Sequence, residues 1–226
     1  MLIPAAGKSE RLGSPVPKPL IELKGKTILQ RAIEPFLGLD RLEKIVVSAP
    51  RLYLDKFKEL VYSLDDRIEV IEGGETRQQS VFKGLELIKR QYPQTSALNV
   101  AIHDAARCLL KKELIEACLK ALDIHSAVVP ALQPVDSLKV AAKDKIIKSL
   151  DRRDIFYVQT PQCFYFDLIW QSHQRYAELS QWSFADDAAM IEDEHEVRII
   201  PGDRENIKIT SESDLTFAEA LLSSQL

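Results

Sequence analysis

Apolar positions along this chain recur with two different periods. Short runs nearly continuous in Val, Ile, Leu and Ala occupy residues 1–4, 44–49, 68–71, 98–103, 127–130, 197–201 and 206–210. A strand with one wet face alternates apolar and polar residues, so unbroken runs predict strands covered on both faces of a parallel sheet. Between the runs the spacing lengthens to that of amphipathic helices with readable starts. Thr27 precedes Ile28, Leu29, Ala32, Ile33 and Phe36, and Gln30 completes a capping box. Thr76 with Gln79 opens a second helix carrying Val81, Phe82, Leu85 and Ile88. Ser211 with Asp214 opens a last one carrying Leu215, Ala218 and Leu222. Strand and helix alternating in this way predict a doubly wound α/β fold. No internal repeat, low-complexity tract or Gly/Ser linker divides the chain, so residues 1–226 are expected to form one domain.

Two stretches depart from this rhythm. Residues 133–154 read as two short alternating runs, 137–141 and 146–150, around the polar turn Ala142-Lys143-Asp144-Lys145. That pattern predicts a β-hairpin with one dry face. An isolated hairpin is marginal in water, so it needs a surface to pack on, and a second subunit is the natural candidate. The other departure is the first run, where only Met1, Leu2 and Ile3 precede Pro4. Either the sheet tolerates a very short central strand or the chain begins earlier.

Composition narrows the function classes. Hydrophobic residues are 46% and charged residues 28%, ordinary globular usage that excludes disorder as the main state. Thirty Lys and Arg stand against 34 Asp and Glu, a net of −4, which argues against sequence-independent binding of nucleic acid. No apolar run approaches the ~18 residues of a membrane span. The first residues also lack the charged and long apolar regions of a signal peptide. Cys108, Cys118 and Cys163 form no Cys-x-x-Cys pair, so a disulfide framework or zinc site is not expected and a reducing compartment fits. A cytoplasmic protein without nucleic-acid or membrane partners is the expectation.

Candidate chemistry begins directly after the first run, with Pro4-Ala5-Ala6-Gly7-Lys8-Ser9-Glu10-Arg11-Leu12 and then Pro17-Lys18-Pro19-Leu20. A Walker A reading of Gly7-Lys8-Ser9 fails, because Leu2 stands where that loop needs its first glycine. A dinucleotide fingerprint fails too, since Ser9 and Leu12 replace its later glycines. What remains is a loop of small residues bearing Lys8, Arg11 and Lys18, at the strand end where open α/β sheets place ligands. Small residues let main-chain N–H groups approach a phosphate, and cations neutralise charge that grows during nucleotidyl transfer. A second string, Gly73-Gly74-Glu75-Thr76-Arg77-Gln78-Gln79-Ser80, leads into the capped helix with Arg77 and Ser80 on its first turns. A third, His103-Asp104-Ala105-Ala106-Arg107, puts a carboxylate at a strand end, where it suits Mg2+ shared with phosphate and water. Arg107 has the fork geometry to grip a phosphate.

These strings, with Asp151-Arg152, Thr160-Pro161-Gln162 and Asn206-Ile207-Lys208 following in the same order, resemble the 2-C-methyl-D-erythritol 4-phosphate cytidylyltransferases of the non-mevalonate isoprenoid pathway. The resemblance spans nearly the whole chain. It implies a homodimer on a Rossmann-like sheet that uses CTP with Mg2+ or another divalent cation, with a β-arm, residues 133–154 here, embracing the partner. By position it implies that Arg11 and Lys18 stabilise the transition state around the α-phosphate, with Arg152 and Lys208 also catalytic. Pro4, Ala5, Ala6, Gly7 and Lys8 match the loop along the triphosphate, and Gly74, Glu75 and Ser80 the segment that reads cytosine and ribose. Asp104 matches the metal-side carboxylate. Arg107, Ser137 and Lys208 match the methylerythritol phosphate pocket, which Arg152 and Thr160 would reach from the other subunit's arm.

This sequence departs from the family at several positions. Pro19 stands where Gln is common, Cys108 where Pro is usual and Ser137 where Thr is usual; Ala185-Asp186-Asp187-Ala188-Ala189 replaces a Thr-Asp-Glu-Ala-Ser pattern and loses two hydroxyls. The lost hydroxyls bear on the acceptor more than on the nucleotide, so the resemblance to ribitol 5-phosphate cytidylyltransferases stays open. A non-catalytic nucleotide-binding homologue is the reading from another class. The remaining polar residues have plainer explanations. Asp186 and Asp187 read as acids in the first turn of a helix capped by Ser183, and residues 192–196 as a solvated helix end. His103 is expected to orient its strand end, while His125 and His173 have no partner pattern and Cys108 has no nucleophile's neighbours. Phe166, Trp170 and Tyr176 read as packing residues of an amphipathic helix.

Overall fold

The computed structural model describes residues 1–7 and 16–224. In chain order the elements begin with β1 (Leu2–Pro4), β2 (Glu22–Leu23), β3 (Lys26–Thr27), α1 (Ile28–Leu37), β4 (Ile45–Ala49), α2 (Leu54–Tyr62), β5 (Ile68–Glu72) and α3 (Arg77–Gln91). They continue with β6 (Asn99–Ile102), α4 (Lys112–Leu122), β7 (Ala127–Leu132), β8 (Lys139–Ala142), β9 (Lys145–Ser149), β10 (Tyr157–Val158), β11 (Gln162–Tyr165), α5 (Phe166–Glu178), β12 (Arg198–Pro201) and α6 (Glu212–Ser224). The main sheet has the order β10-β7-β11-β6-β1-β4-β5, and β12 also pairs with β7. Strands β1, β4, β5 and β6 pair in parallel, as does β12 with β7, whereas β10 and β11 run antiparallel to their neighbours. The expected doubly wound, mostly parallel α/β sheet is therefore present.

Continuous apolar runs serve two cores at once, because successive side chains point to opposite faces. Leu2 and Val46 face Val81 and Leu85 of α3 and Phe166 and Ile169 of α5. Ile3, Ile45 and Val47 face Leu29, Ile33 and Phe36 of α1, Phe57 and Val61 of α2, and Leu114 and Ile115 of α4. Each such aliphatic side chain contributes roughly 1.5–3 kcal/mol when fully removed from water, so even three-residue β1 is strongly specified. Its main chain is bonded on both sides: Val46 N donates to Met1 O at 2.9 Å, and His103 N to Leu2 O at 2.9 Å.

All three capping boxes read from the sequence are formed. Thr27 and Gln30 exchange bonds at the start of α1, and Thr76 and Gln79 at the start of α3. The Asp214 carboxylate accepts from Ser211 N at 2.8 Å, while Asp214 N donates to Ser211 Oγ at 3.3 Å. The 133–154 stretch contains the expected hairpin, as a separate two-stranded sheet of β8 and β9 turning at Lys143, whose φ is 51°. Ile146 and Ile147, on opposite faces of β9, are 68% and 62% exposed, so neither face is covered by the described residues.

One expected strand is absent. Residues 206–210 cross the carboxyl ends of the strands instead of lying beside one, so their polar groups bond to loops. Ile209 N donates to Ala106 O at 2.9 Å, Arg107 Nη1 donates to Asn206 O at 2.7 Å, and Thr210 N reaches the Asp214 carboxylate at 2.7 Å. The run is apolar because Ile209, at 0% exposure, packs beneath α6 with Ala218 and Leu222. Thr27→Ala should remove the α1 cap bond and cost about 1 kcal/mol, whereas Thr27→Ser should cost far less. The urea midpoints, at unchanged slope, check this.

Candidate functional site

The carboxyl ends of β1 and β6, the start of α3 and the crossing segment enclose a cleft of about 440 Å3. Pro4, Ala5, Ala6 and Gly7 form one wall, Lys18 and Pro19 a second, Gly74, Glu75, Thr76, Arg77 and Ser80 a third, and Asp104, Ala105, Ala106 and Lys208 the floor. Among the described residues no aromatic side chain lines it.

Close main-chain approach shapes the walls. A Cβ at Gly73 would lie 2.4 Å from Ala6 Cβ and 2.9 Å from Ser80 Oγ, and one at Gly74 would lie 2.3 Å from Gln79 Cβ. The two glycines thus let the β5–α3 turn fold directly against the loop after β1. Ser80 ties that turn, accepting from Gly74 N at 3.0 Å and donating to Thr76 O at 2.9 Å. Lys18 is fixed from the opposite side, its Nζ donating to Ile209 O at 2.8 Å.

Asp104 is the centre of charge. Its Oδ1 lies 3.0 Å from Arg77 Nε, and its Oδ2 lies 2.7 Å from Lys208 Nζ and 3.9 Å from Arg107 Nε. Burial alone would raise this carboxyl, but the Arg77 and Lys208 charges outweigh it and hold Asp104 well below the usual carboxylate range. The main chain is equally constrained. Asp104 N donates to Thr160 Oγ1 at 3.0 Å, and that hydroxyl lies 3.0 Å from His103 Nδ1; because the other ring nitrogen faces a carbonyl, which can only accept, Nδ1 is the acceptor and the hydroxyl donates to it. His103 Nε2 is then the protonated nitrogen and donates to Arg107 O at 3.0 Å. Burial pushes His103 down to about 4, which suits this neutral ring. His103 does orient its strand end, as expected.

Arg77 also faces inward, with Nη1 2.7 Å from Asp187 Oδ2. Asp187 is fully buried, and its Oδ1 lies 3.4 Å from His173 Nε2. The helix expected after Ser183 is absent: only a 3-10 turn, Ala188–Met190, forms. Gln162 fixes the segment instead. Its Oε1 accepts from Asp187 N at 3.1 Å and Ala188 N at 3.0 Å, and its Nε2 donates to Asp186 Oδ2 at 2.9 Å. Asp187 and His173, given plain explanations above, are thus joined to the site through Arg77. The available signal was the excess of acids in a stretch with no helix pattern, beside an Arg in the Gly-Gly string. Residues 192–196 form exposed turns, not a helix end.

Several expected site residues stand elsewhere. Lys8 and Arg11 lie outside the described residues. Ser137 and Arg152 are exposed at the base of the hairpin and are not brought to this chain's own cleft. Thr160 lies outside the hairpin, 4% exposed beneath Asp104, with its hydroxyl bonded to Asp104 N and His103 Nδ1. Arg107 is turned to Asn206 O and Val158 O, at 2.7 and 3.4 Å. Ala185 and Ala189 do not line the cleft.

No group of three or more His, Cys, Asp or Glu able to hold a metal occurs among the described residues. One buried carboxylate at the cleft floor, with Glu75 exposed on the rim, fits Mg2+, which takes most of its ligands from phosphate and water, and does not fit an all-protein cage.

A family model described as 2-C-methyl-D-erythritol 4-phosphate cytidylyltransferase (IspD) matches residues 1–224. A relative of that name from Prochlorococcus marinus is 36% identical over 96% of each chain. One from Clostridium novyi is 34% identical over 98% of this chain and 95% of its own. Among solved structures, 4-diphosphocytidyl-2C-methyl-D-erythritolsynthase from Anaerococcus prevotii superposes with a TM-score of 0.85 at 28% identity, over 98% of this chain and 94% of its own. The Francisella tularensis 2-C-methyl-D-erythritol 4-phosphate cytidylyltransferase gives 0.81 at 27%, over 97% of each.

The neutral, buried His103 has a measurable signature. Unfolded, it takes up a proton near its ordinary 6.5; folded, only near 4. Between those values the unfolded state binds more protons, so stability should fall as pH drops through that window. The slope from this one group is at most about 1.4 kcal/mol per pH unit, and above pH 6.5 it contributes none. His103→Gln should flatten that limb in a series of urea melts.

Proposed function

The chain belongs to the 2-C-methyl-D-erythritol 4-phosphate cytidylyltransferase family, and we propose that its cleft transfers CMP from CTP to 2-C-methyl-D-erythritol 4-phosphate, giving 4-diphosphocytidyl-2-C-methyl-D-erythritol and pyrophosphate. The observation that carries this is the convergence of the small-residue loop, Lys18, Lys208 and the buried Asp104 carboxylate on one cleft. An oxygen of the acceptor phosphate attacks the α-phosphorus in line while the bond to the leaving pyrophosphate oxygen breaks. No protein nucleophile is needed, so the residues position the reactants and neutralise charge.

In this reading the loop Pro4, Ala5, Ala6 and Gly7 follows the triphosphate, together with Lys8; Ala5 N donates to Ser48 O at 2.8 Å and so fixes the loop to the sheet. Gly74, Glu75 and Ser80 border the base and ribose. Lys18 and Arg11 act at the α-phosphate, while Lys208 and Arg107 stand on the acceptor side. Asp104 would hold Mg2+, which supplies positive charge to the triphosphate. The hairpin supplies the rest. Val135, Ile146, Ile147 and Tyr157 are 61%, 68%, 62% and 54% exposed, apolar side chains on and beside the hairpin that a second copy of the chain would cover. Ser137 and Arg152, carried on that arm, would then complete the acceptor pocket of the partner. Buried, unpaired Cys108, Cys118 and Cys163 support a cytoplasmic setting. Among the described residues no helix is long and apolar enough to cross a membrane.

Pyrophosphate release should require CTP, Mg2+ and methylerythritol phosphate; release with ribitol 5-phosphate or ribulose 5-phosphate instead would move the protein to another acceptor. Lys18→Ala should lower turnover by roughly 10²–10³, as loss of a transition-state donor does, with a much smaller change in CTP affinity. Equal losses in both would make Lys18 a ground-state contact. Sedimentation at micromolar concentration should give a dimer, and a monomer there would remove the arm from the mechanism.

A further inference from the structure

Behind Asp104 lies a second carboxylate that the chemistry above does not use. Asp187 is 0% exposed, so it touches neither substrate nor solvent. A buried charge is costly unless it is paired, and apolar residues commonly fill such space with no loss of stability. Here the partner is shared. The Arg77 guanidinium presents Nε to Asp104 at 3.0 Å and Nη1 to Asp187 at 2.7 Å, on its opposite sides.

The sharing decides how much charge Asp104 shows to the cleft. With Arg77 to itself, Asp104 would be neutralised from within and would attract an arriving cation little more than a neutral group does. With Asp187 on the far side, two carboxylates share one guanidinium, so Asp104 keeps more of its negative charge beside Lys208 and Arg107 than it would if Arg77 were its alone. One short segment sets the spacing, because Thr160 holds the main chain of Asp104 and Gln162, two residues on, holds that of Asp187. His173 Nε2, 3.4 Å from the outer oxygen of Asp187, and Gln78 Nε2, which donates to Phe184 O at 2.7 Å, close the far end.

We infer that Asp187 is a positioning residue for the transfer reaction: it draws Arg77 inward, so that Asp104 keeps both its orientation and enough negative charge to receive a divalent cation at the cleft. The inference rests on the reading of Asp104 as the metal-side carboxylate.

The test uses the full-length protein with a non-hydrolysable CTP analogue and Mn2+, whose free concentration is read by electron paramagnetic resonance. Asp187→Asn keeps the shape and removes the charge; Mn2+ affinity should fall at least fivefold, and the Mg2+ concentration needed for half-maximal turnover should rise in step. Asp187→Glu, which keeps the charge, should stay within twofold of the parent. In the double variant Arg77→Met, Asp187→Asn the net charge of the trio is restored, so Mn2+ affinity should return to within fivefold of the parent. Unchanged Mn2+ affinity in a folded Asp187→Asn protein, or equal losses in the Asn and Glu variants, would reduce Asp187 to packing and overturn the inference. If the single Asn variant does not fold, the double variant decides alone, a loss beyond fivefold being the overturning result. Asp104→Asn is the control for the premise: if it binds Mn2+ like the parent, the metal-side reading itself fails, whatever Asp187 does.

Discussion

The ion pair between Asp104 and Arg77 joins parts of the molecule that would otherwise be independent. Asp104 follows β6 and is anchored by main-chain bonds to the centre of the sheet; Arg77 opens α3 and is fixed by the cap at Thr76. Their contact at 3.0 Å sets how far the β5–α3 turn stands from the strand ends, and therefore how wide the cleft is. Neither charge would be tolerated there alone, since an unpaired buried ion costs several kcal/mol. Each is held because the other is present, and because Lys208 and Asp187 extend the alternation of sign outward and inward.

Where the fold was legible, one physical cause dominated each residue. Apolar runs at β1, β4, β5, β6 and β7 read correctly because strands covered on both faces need no polar alternation, and the caps at Thr27, Thr76 and Ser211 read correctly because capping is local. The misreadings share a cause as well. Residues 206–210 are as apolar as a strand, yet their burial comes from α6 and Ile209 packing, and only the tertiary arrangement tells a crossing segment from a ladder. Strand β11 was missed because Gln162 looks polar, although its side chain serves the 186–188 segment and Phe164 fills the core.

The site divides in the same way. Lys18, Lys208, Asp104 and the two glycines were legible because they sit in strings whose order is informative. Asp187 and His173 were not, because each is ordinary in its own stretch and acquires meaning only through Arg77, more than ninety residues earlier in the chain. Thr160 was placed in the acceptor pocket by resemblance, and its bonds to Asp104 N and His103 Nδ1 beneath the cleft are a long-range contact that its own stretch of sequence does not announce. Long-range pairing of single charges leaves no periodic trace, so spacing along the chain could not reveal it.

The contact of Gly73 with Ala6 has a consequence for inhibition. Much of the cleft wall is main chain, packed so closely that a Cβ at Gly73 would come within 2.4 Å of its neighbour. The N–H groups of this turn are already bonded within the protein, Gly73 to Ala49 O and Gly74 to Ser80 Oγ, so a competitive inhibitor gains here by close fit against main-chain atoms that no substitution can remove, and the side chains beside them cannot grow without closing the cleft to the natural nucleotide. Escape mutations would be driven outward to Glu75, which is exposed on the rim. Compounds relying on stacking would meet no ring among the described wall residues. A ligand matched in shape to that main-chain wall would therefore face a narrow route to resistance.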